Sequence, residues 1–149
     1  MRTRIILTAS TLMSLFLSGC LHANTFVHEP SMAAAQAERF ADAALIEHDL
    51  NSAYALLSAK MKEQLSLEQF KDLLARMHPS KYPDAVNATD YELLPSERGM
   101  NVYLFGKSGA ERFYYRFHME GTKETGYAIA GCWRGDAPYP QSSMRRPLK

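Results

Sequence analysis

The apolar residues of this chain follow two different spacings, and the spacing changes once along the sequence. From Ser31 to Pro79 they recur every three or four residues, the period that buries one face of a helix. After Ala88 they alternate with polar residues, the period of a strand with one buried face. A run of helices followed by a run of strands predicts an α+β domain, with the helices packed on one face of an antiparallel sheet.

Three N-terminal helices are predicted to precede the sheet. Their expected ranges are about Met32–Glu47, Ser52–Leu57 and Leu67–Met77. Ser31 is suited to cap the first helix, and either Asp49 or Asn51 is suited to cap the second. Ser66 and Gln69 have the spacing of a capping box at the start of the third helix.

About four antiparallel strands are predicted to follow as a meander. Their expected ranges are Ala88–Leu94, Met100–Phe105, Glu111–Glu120 and Tyr127–Arg134. The third strand alternates most clearly, and its inward side chains are predicted to be Phe113, Tyr115, Phe117 and Met119. In the last strand, Tyr127, Ile129 and Trp133 are predicted to share one face, with Cys132 on the opposite face.

The folded part of the chain is predicted to be one domain over residues 31–134. Residues 135–149 contain Pro138, Pro140 and Pro147, and they are predicted to form a flexible tail without regular structure.

The chain ahead of this domain has the pattern of an export signal. Arg2 and Arg4 supply a basic start, and Ile5–Leu17 is an apolar run shorter than the roughly 20 residues needed to span a bilayer. It leads into Leu17-Ser18-Gly19-Cys20, which resembles the lipobox of bacterial lipoproteins. An ordinary secretory signal with a chance cysteine at the cleavage site is the alternative.

The lipobox resemblance implies a defined maturation. Residues 1–19 form a lipoprotein signal peptide that is cleaved after Gly19, Cys20 carries the lipid, and residues 20–30 tether the domain to the membrane. Two or three acyl chains suffice for stable attachment. Leu21 stands where inner-membrane lipoproteins commonly have an aspartate, so the expected location is the outer membrane facing the periplasm, with the inner membrane as the alternative.

Charge and cysteine content narrow the possible partners. Without Arg2 and Arg4 the mature chain has one more acidic residue than basic residues, which argues against nucleic acid as a partner. If Cys20 carries lipid, Cys132 is the one thiol left. It is interpreted as a small buried hydrophobe, with a reactive thiol or an intermolecular disulfide as the alternatives.

The element order resembles the nuclear transport factor two-like superfamily. A short helix over Asn51–Ser58, a helix after Leu65-Ser66-Leu67-Glu68-Gln69 and the closing strand Gly126–Gly131 carry the resemblance, which covers residues 31–134. It implies a curved sheet wrapped round the long first helix to form a cone. Such cones often enclose an apolar pocket and often dimerise through the sheet, so a homodimer is one possible assembly.

An enzyme with this fold needs an acid or a base inside the cone, for which His118, Tyr114 and Asp90 are the candidates. The alternation of the third strand instead assigns His118 to the outer face, together with Arg112 and Arg116. The histidines are scattered without the spacing of a metal site, and no phosphate-binding loop is present, so neither a metal nor a cofactor is expected.

The leading hypothesis is therefore a non-catalytic periplasmic lipoprotein that binds a protein or a small apolar ligand. An immunity-type or envelope-associated protein is one concrete form of it. The residues expected to form its binding surface are Arg112, Tyr114, Arg116 and His118. The alternatives are a small enzyme acting on an apolar substrate in the cone, and a structural envelope lipoprotein that dimerises through its sheet.

Overall fold

The computed structural model describes residues 26–94 and 97–149. The predicted signal peptide, the cleavage after Gly19 and the lipid on Cys20 therefore lie outside the described residues. Within those residues the helices precede a five-stranded antiparallel sheet, which confirms the α+β class and the order of elements. The helices are α1 (Pro30–Ala41), α2 (Leu50–Ala55), α3 (Ala59–Gln64) and α4 (Leu67–Met77). The strands are β1 (Ala85–Leu93), β2 (Gly99–Ser108), β3 (Glu111–Thr122), β4 (Gly126–Gly135) and β5 (Arg145–Pro147).

The helical half differs from the prediction in two respects. The N-cap of α1 is Glu29 and not Ser31, because Pro30 takes the first helical position, where its missing N–H costs no hydrogen bond. The chain then passes into a π-helical segment over Asp42–Ile46, so the single predicted helix is built from two parts. In addition, α3 was not predicted, since none of its residues is buried and its sequence has no apolar stripe.

The predicted caps of the other two helices are confirmed. Asp49 caps α2, where its carboxylate accepts a hydrogen bond from the Ser52 N–H at 3.1 Å. At α4 the Ser66 hydroxyl accepts from the Gln69 N–H at 3.2 Å, and the Gln69 side chain accepts from the Ser66 N–H at 2.9 Å. Two of the otherwise unpaired N–H groups at that helix end are thereby satisfied.

The sheet has the strand order β4-β3-β2-β1-β5, and α1 packs across β1 to β4 on one face. We call this helix-covered side the inner face and the opposite side the outer face. The four predicted inward residues of β3 are at most 1 % exposed, which confirms the alternation. Phe40 of α1 meets Phe117 edge-to-face, with the ring centroids 5.3 Å apart. Each such buried aromatic contributes on the order of 1.5–3 kcal/mol by leaving water.

A β-bulge in β4 overturns the predicted grouping of its side chains. His118 pairs with Gly131 while Met119 pairs with Ile129, so Ala130 is an extra residue without a partner on β3. An extra residue reverses the alternation beyond it. Cys132 therefore joins Ile129 on the inner face, and Trp133 lies on the outer face with 45 % of its surface exposed.

The C-terminal segment contains regular structure that was not predicted. Arg145–Pro147 pairs with β1 as a short edge strand, in the register Asp90↔Pro147 and Glu92↔Arg145. The Arg145 guanidinium also forms an ion pair with Asp90 at 2.9 Å. Proline is tolerated on an edge strand because its missing N–H can face away from the ladder, and for this reason Pro147 does not prevent the pairing.

A matched pair of serine substitutions tests the cap assignment. Ser66→Ala should lower the free energy of unfolding by about 1 kcal/mol, because it removes the hydroxyl that caps α4. Ser31→Ala should change it by much less, since Ser31 lies inside α1 and its hydroxyl bonds an exposed carboxylate. Urea denaturation of both variants measures the difference. Equal losses would contradict the assignment of Glu29 as the N-cap.

Candidate functional site

All four residues predicted for the binding surface lie on the outer face of β3. Arg112 is exposed, and Tyr114, Arg116 and His118 are half-buried. The register places Lys107 beside Arg112 and Phe105 beside Tyr114. The structure therefore brings a row of cationic and aromatic side chains together on the sheet face opposite α1.

Arg116 lies at the centre of an aromatic cluster, which we call the Arg116 cluster and define as Arg116, Trp133, Tyr139 and Tyr103. The guanidinium carbon is 4.8 Å from the centroid of the Trp133 ring and 5.5 Å from that of Tyr139. Tyr139 in turn packs on Tyr103 at 5.7 Å. A cation over aromatic rings contributes about 0.5–2 kcal/mol, depending on how far water is excluded.

Sequence reasoning missed two members of this cluster. Trp133 was grouped on one face with Tyr127 and Ile129, because the β4 bulge leaves no signature in the residue pattern. Tyr139 was assigned to a tail without structure, yet its ring contacts Tyr103 and Arg116. The proline content of the tail gave no signal that it returns to the sheet.

Arg145 and Glu92 hold the tail against the outer face. The Arg145 guanidinium lies 4.0 Å from the centroid of the Tyr103 ring and donates a hydrogen bond to the Tyr139 carbonyl at 2.9 Å. The Glu92 carboxylate accepts hydrogen bonds from the hydroxyls of Ser142 and Tyr103, the latter at 2.7 Å. These two bonds hold the pKa of Glu92 below its usual value, Ser142 having the larger effect. Burial, together with the Glu92 carboxylate, raises the pKa of Tyr103 to about 12.

A groove of about 300 Å³ lies between the tail and the outer face. Its side-chain lining includes Tyr103, Phe105, Tyr114, Pro138, Tyr139 and Arg145. Phe105 and Tyr114 pack with their ring centroids 5.7 Å apart. Such a lining suits an apolar group of a ligand or partner.

His118 belongs to a different groove of the same face. Its Nδ1 lies 3.4 Å from the Asn101 Oδ1, and the side chain lines a space of about 430 Å³ that also includes Lys60, Arg98 and Glu120. The predicted surface residues are thus divided between two grooves, with Tyr114 near the tail and His118 near α3.

The inner face contains a titratable residue that the sequence analysis did not single out. His78 follows α4 as its C-cap and is 4 % exposed. Its Nδ1 lies 3.1 Å from the Lys81 carbonyl oxygen and its Nε2 lies 3.3 Å from the Tyr115 hydroxyl. A neutral ring that donates from Nδ1 and accepts at Nε2 satisfies both contacts. Burial lowers the pKa of His78, which favours this neutral form.

Charged and aromatic side chains surround His78. Tyr82 stacks on its ring at 4.5 Å, and Arg134 donates to the Met77 carbonyl at 2.7 Å next to it. Arg134 also lies 3.8 Å from the Glu111 carboxylate. Each polar group of the histidine has a protein partner, so its placement is that of a structural hydrogen-bonding group in the core.

Cys132 is a free thiol with 9 % of its surface exposed. Burial raises the pKa of this thiol to about 12, which keeps it protonated at neutral pH. These surroundings support its interpretation as a small buried hydrophobe.

Three further observations concern metal binding, membrane-spanning helices and similarity to known proteins. Across residues 26–94 and 97–149, no three His, Cys, Asp or Glu side chains are grouped so that they could hold a metal ion. None of the helices in that part of the chain combines the length and the apolar character needed to cross a membrane. The chain matches no known protein family, no curated protein and no solved structure.

Acidification should destabilise the fold through His78. Because the pKa of His78 is lowered below 6.5 in the folded state, the unfolded chain binds a proton more readily at mildly acidic pH. The free energy of unfolding should therefore be highest above about pH 6.5 and fall below it. His78→Gln should weaken this pH dependence, whereas His118→Gln on the outer face should preserve it. Urea titrations at several pH values measure the slope, and an unchanged slope in His78→Gln would contradict the assignment.

Proposed function

We propose that this chain is a lipid-anchored protein of the bacterial envelope whose domain binds a protein partner through its outer sheet face without catalysis. The observation that carries the proposal is the Arg116 cluster. It combines a tryptophan that is 45 % exposed with an arginine stacked against it and two tyrosines. Tryptophan, tyrosine and arginine are the residues that most often dominate the binding energy of protein interfaces.

The arrangement of the two sheet faces supports binding over catalysis in a cone. The inward side chains of β3 are buried, with Phe117 packed on Phe40 of α1, and His78 has both ring nitrogens in contact with protein groups. The candidate base His118 belongs to the outer face and lies beside Asn101. We further propose that the domain is related to the nuclear transport factor two-like superfamily, with a curved sheet. The order of elements and the packing of α1 across β1 to β4 support this relation.

The route of the N-terminal chain supports a surface that stays accessible on an anchored protein. Lys123 donates its N–H to the Val27 carbonyl at 2.9 Å, so the chain enters the domain at the β3–β4 turn. Cys20 precedes Phe26 by six residues, a separation that an extended chain spans in about 20 Å. Arg116 lies five residues before Gly121 on β3. It is therefore roughly 17 Å from the end of the sheet where the N-terminal chain enters. A lipid on Cys20 would thus hold the turn near the membrane and leave the Arg116 cluster farther from it.

The proposed anchor can be tested with Cys20→Ser. The variant should lose membrane attachment and keep its fold, because the acyl chains would be absent while every described contact remains. Fractionation of cells by centrifugation, followed by circular dichroism of the released protein, checks both parts. A variant that still sediments with membranes after a salt wash would place the anchor elsewhere.

The proposed surface can be tested by capture of partners from solubilised membranes. Tyr114→Ala and Arg116→Gln should each reduce the amount of captured partner at least about tenfold, since central interface residues cost 2 kcal/mol or more when truncated. Arg76→Gln is the matched control, because Arg76 is an exposed arginine on α4, in the helical layer. Quantitative mass spectrometry compares the eluates. Equal capture by the variants and the control would exclude these residues from the interface.

A further inference from the structure

Positive charge is left uncompensated on the half of the outer face that is nearest the β2–β3 turn. Lys107, Arg112 and Arg116 lie there, and within the described residues none of the three forms an ion pair. Of the carboxylates on the same face, Asp90 pairs with Arg145. Glu92 accepts hydrogen bonds from neutral donors and attracts Arg116 without forming an ion pair with it. This part of the surface is therefore complementary to a partner with negative charge.

Arg116 and Arg145 differ in how their donors are used. Arg145 donates to the Asp90 carboxylate at 2.9 Å and to the Tyr139 carbonyl at 2.9 Å. Arg116 makes no side-chain hydrogen bond to any described residue, and its Nε is buried without a partner. The Arg145 Nε is likewise buried and unpaired, but the other N–H donors of Arg116 are not buried, so they are open to a bound acceptor.

Stacking restricts where an acceptor can approach Arg116. The Trp133 and Tyr139 rings lie 4.8 Å and 5.5 Å from the guanidinium carbon. A guanidinium is planar and carries its N–H donors at its edge, so an acceptor approaches it in that plane. A carboxylate matches this arrangement because its two oxygens can accept two parallel N–H bonds.

The groove between the tail and the sheet begins beside this cation. Tyr103 and Tyr139 belong both to the Arg116 cluster and to the groove lining, and Phe105 and Tyr114 form the opposite part of the lining. The volume of about 300 Å³ is enough for one aromatic or aliphatic side chain. An anionic group at Arg116 and an apolar group in the groove would therefore be close neighbours in one ligand.

We infer that the outer face binds an acidic segment of its protein partner, with a carboxylate paired to Arg116 and an adjacent apolar side chain in the groove. The inference rests on the proposed function and adds the chemistry of the partner. Arg112 and Lys107 supply attraction to further carboxylates of the same segment. Trp133 is then in direct contact with the bound segment.

The test uses Trp133 as its own reporter, because it is the one tryptophan of the chain. The probe is a capped tetrapeptide of three glutamates and one phenylalanine, titrated into the full protein while Trp133 emission is recorded. Two analogues separate the two contacts: one replaces every glutamate by glutamine, and the other replaces the phenylalanine by glycine. Saturable binding of the acidic peptide, weakened about tenfold in each analogue and weakened by salt, is the expected result.

Protein variants assign the binding to the cluster. Arg116→Gln should weaken the acidic peptide about tenfold, Arg112→Gln should weaken it less, and Arg76→Gln on α4 should leave it unchanged. Circular dichroism checks that each variant is folded. If Arg116→Gln does not fold, Arg112→Gln still tests whether the positive charge of this surface binds the peptide. Equal affinity for the acidic peptide and its glutamine analogue would overturn the inference. Displacement of the peptide by inorganic phosphate at matched ionic strength would also overturn it. So would a change in Trp133 emission on raising the protein concentration alone, because this would indicate that a second copy of the chain binds the surface.

The two proposals fail in different ways. If capture from membranes depends on Tyr114 and Arg116 but the acidic peptide does not bind, the outer face is a partner-binding surface and the inferred preference for an acidic segment is wrong. If the acidic peptide binds as expected while capture is the same in all variants, the chemistry of the cluster stands and the proposed partner interface is wrong.

Discussion

The packing of β3 against α1 determines the arrangement of everything else in the domain. Phe113, Tyr115, Phe117 and Met119 are all buried on one face of this strand, and Phe40 closes over Phe117 from the helical side. Replacing such an aromatic by alanine typically costs about 3–5 kcal/mol, a large share of the stability of a small domain. Because side chains alternate along a strand, burying these four commits the intervening residues to the outer face.

Two further features place aromatic rings beside Arg116 on the outer face. The bulge at Ala130 turns Trp133 outward beside Arg116, and the pairing of Arg145 with β1 brings Tyr139 to the same place. Neither feature alone would bring both rings to the guanidinium. The cluster is thus a product of β3, β4 and the C-terminal segment together.

Local rules predicted the parts of the fold that depend on neighbouring residues. The capping box of Ser66 and Gln69 closes within one helical turn, and Asp49 caps α2 through a residue three positions away. The helix α3 escaped prediction because it buries no residue, so the apolar period that marks other helices is missing. His78 was overlooked for a related reason, since its partner Tyr115 lies 37 residues away and meets it only when the sheet packs.

The sequence by itself determined the α+β class, the order of the elements, two helix caps and the face on which Arg112, Tyr114, Arg116 and His118 lie. These follow from periodicity and from hydrogen bonds between close neighbours, which are properties of short segments. Only the tertiary structure decided that Trp133 lies outside and that residues after Gly135 return to the sheet. A bulge and an edge strand are set by the free energy of pairing with a distant strand, and no local pattern records that pairing.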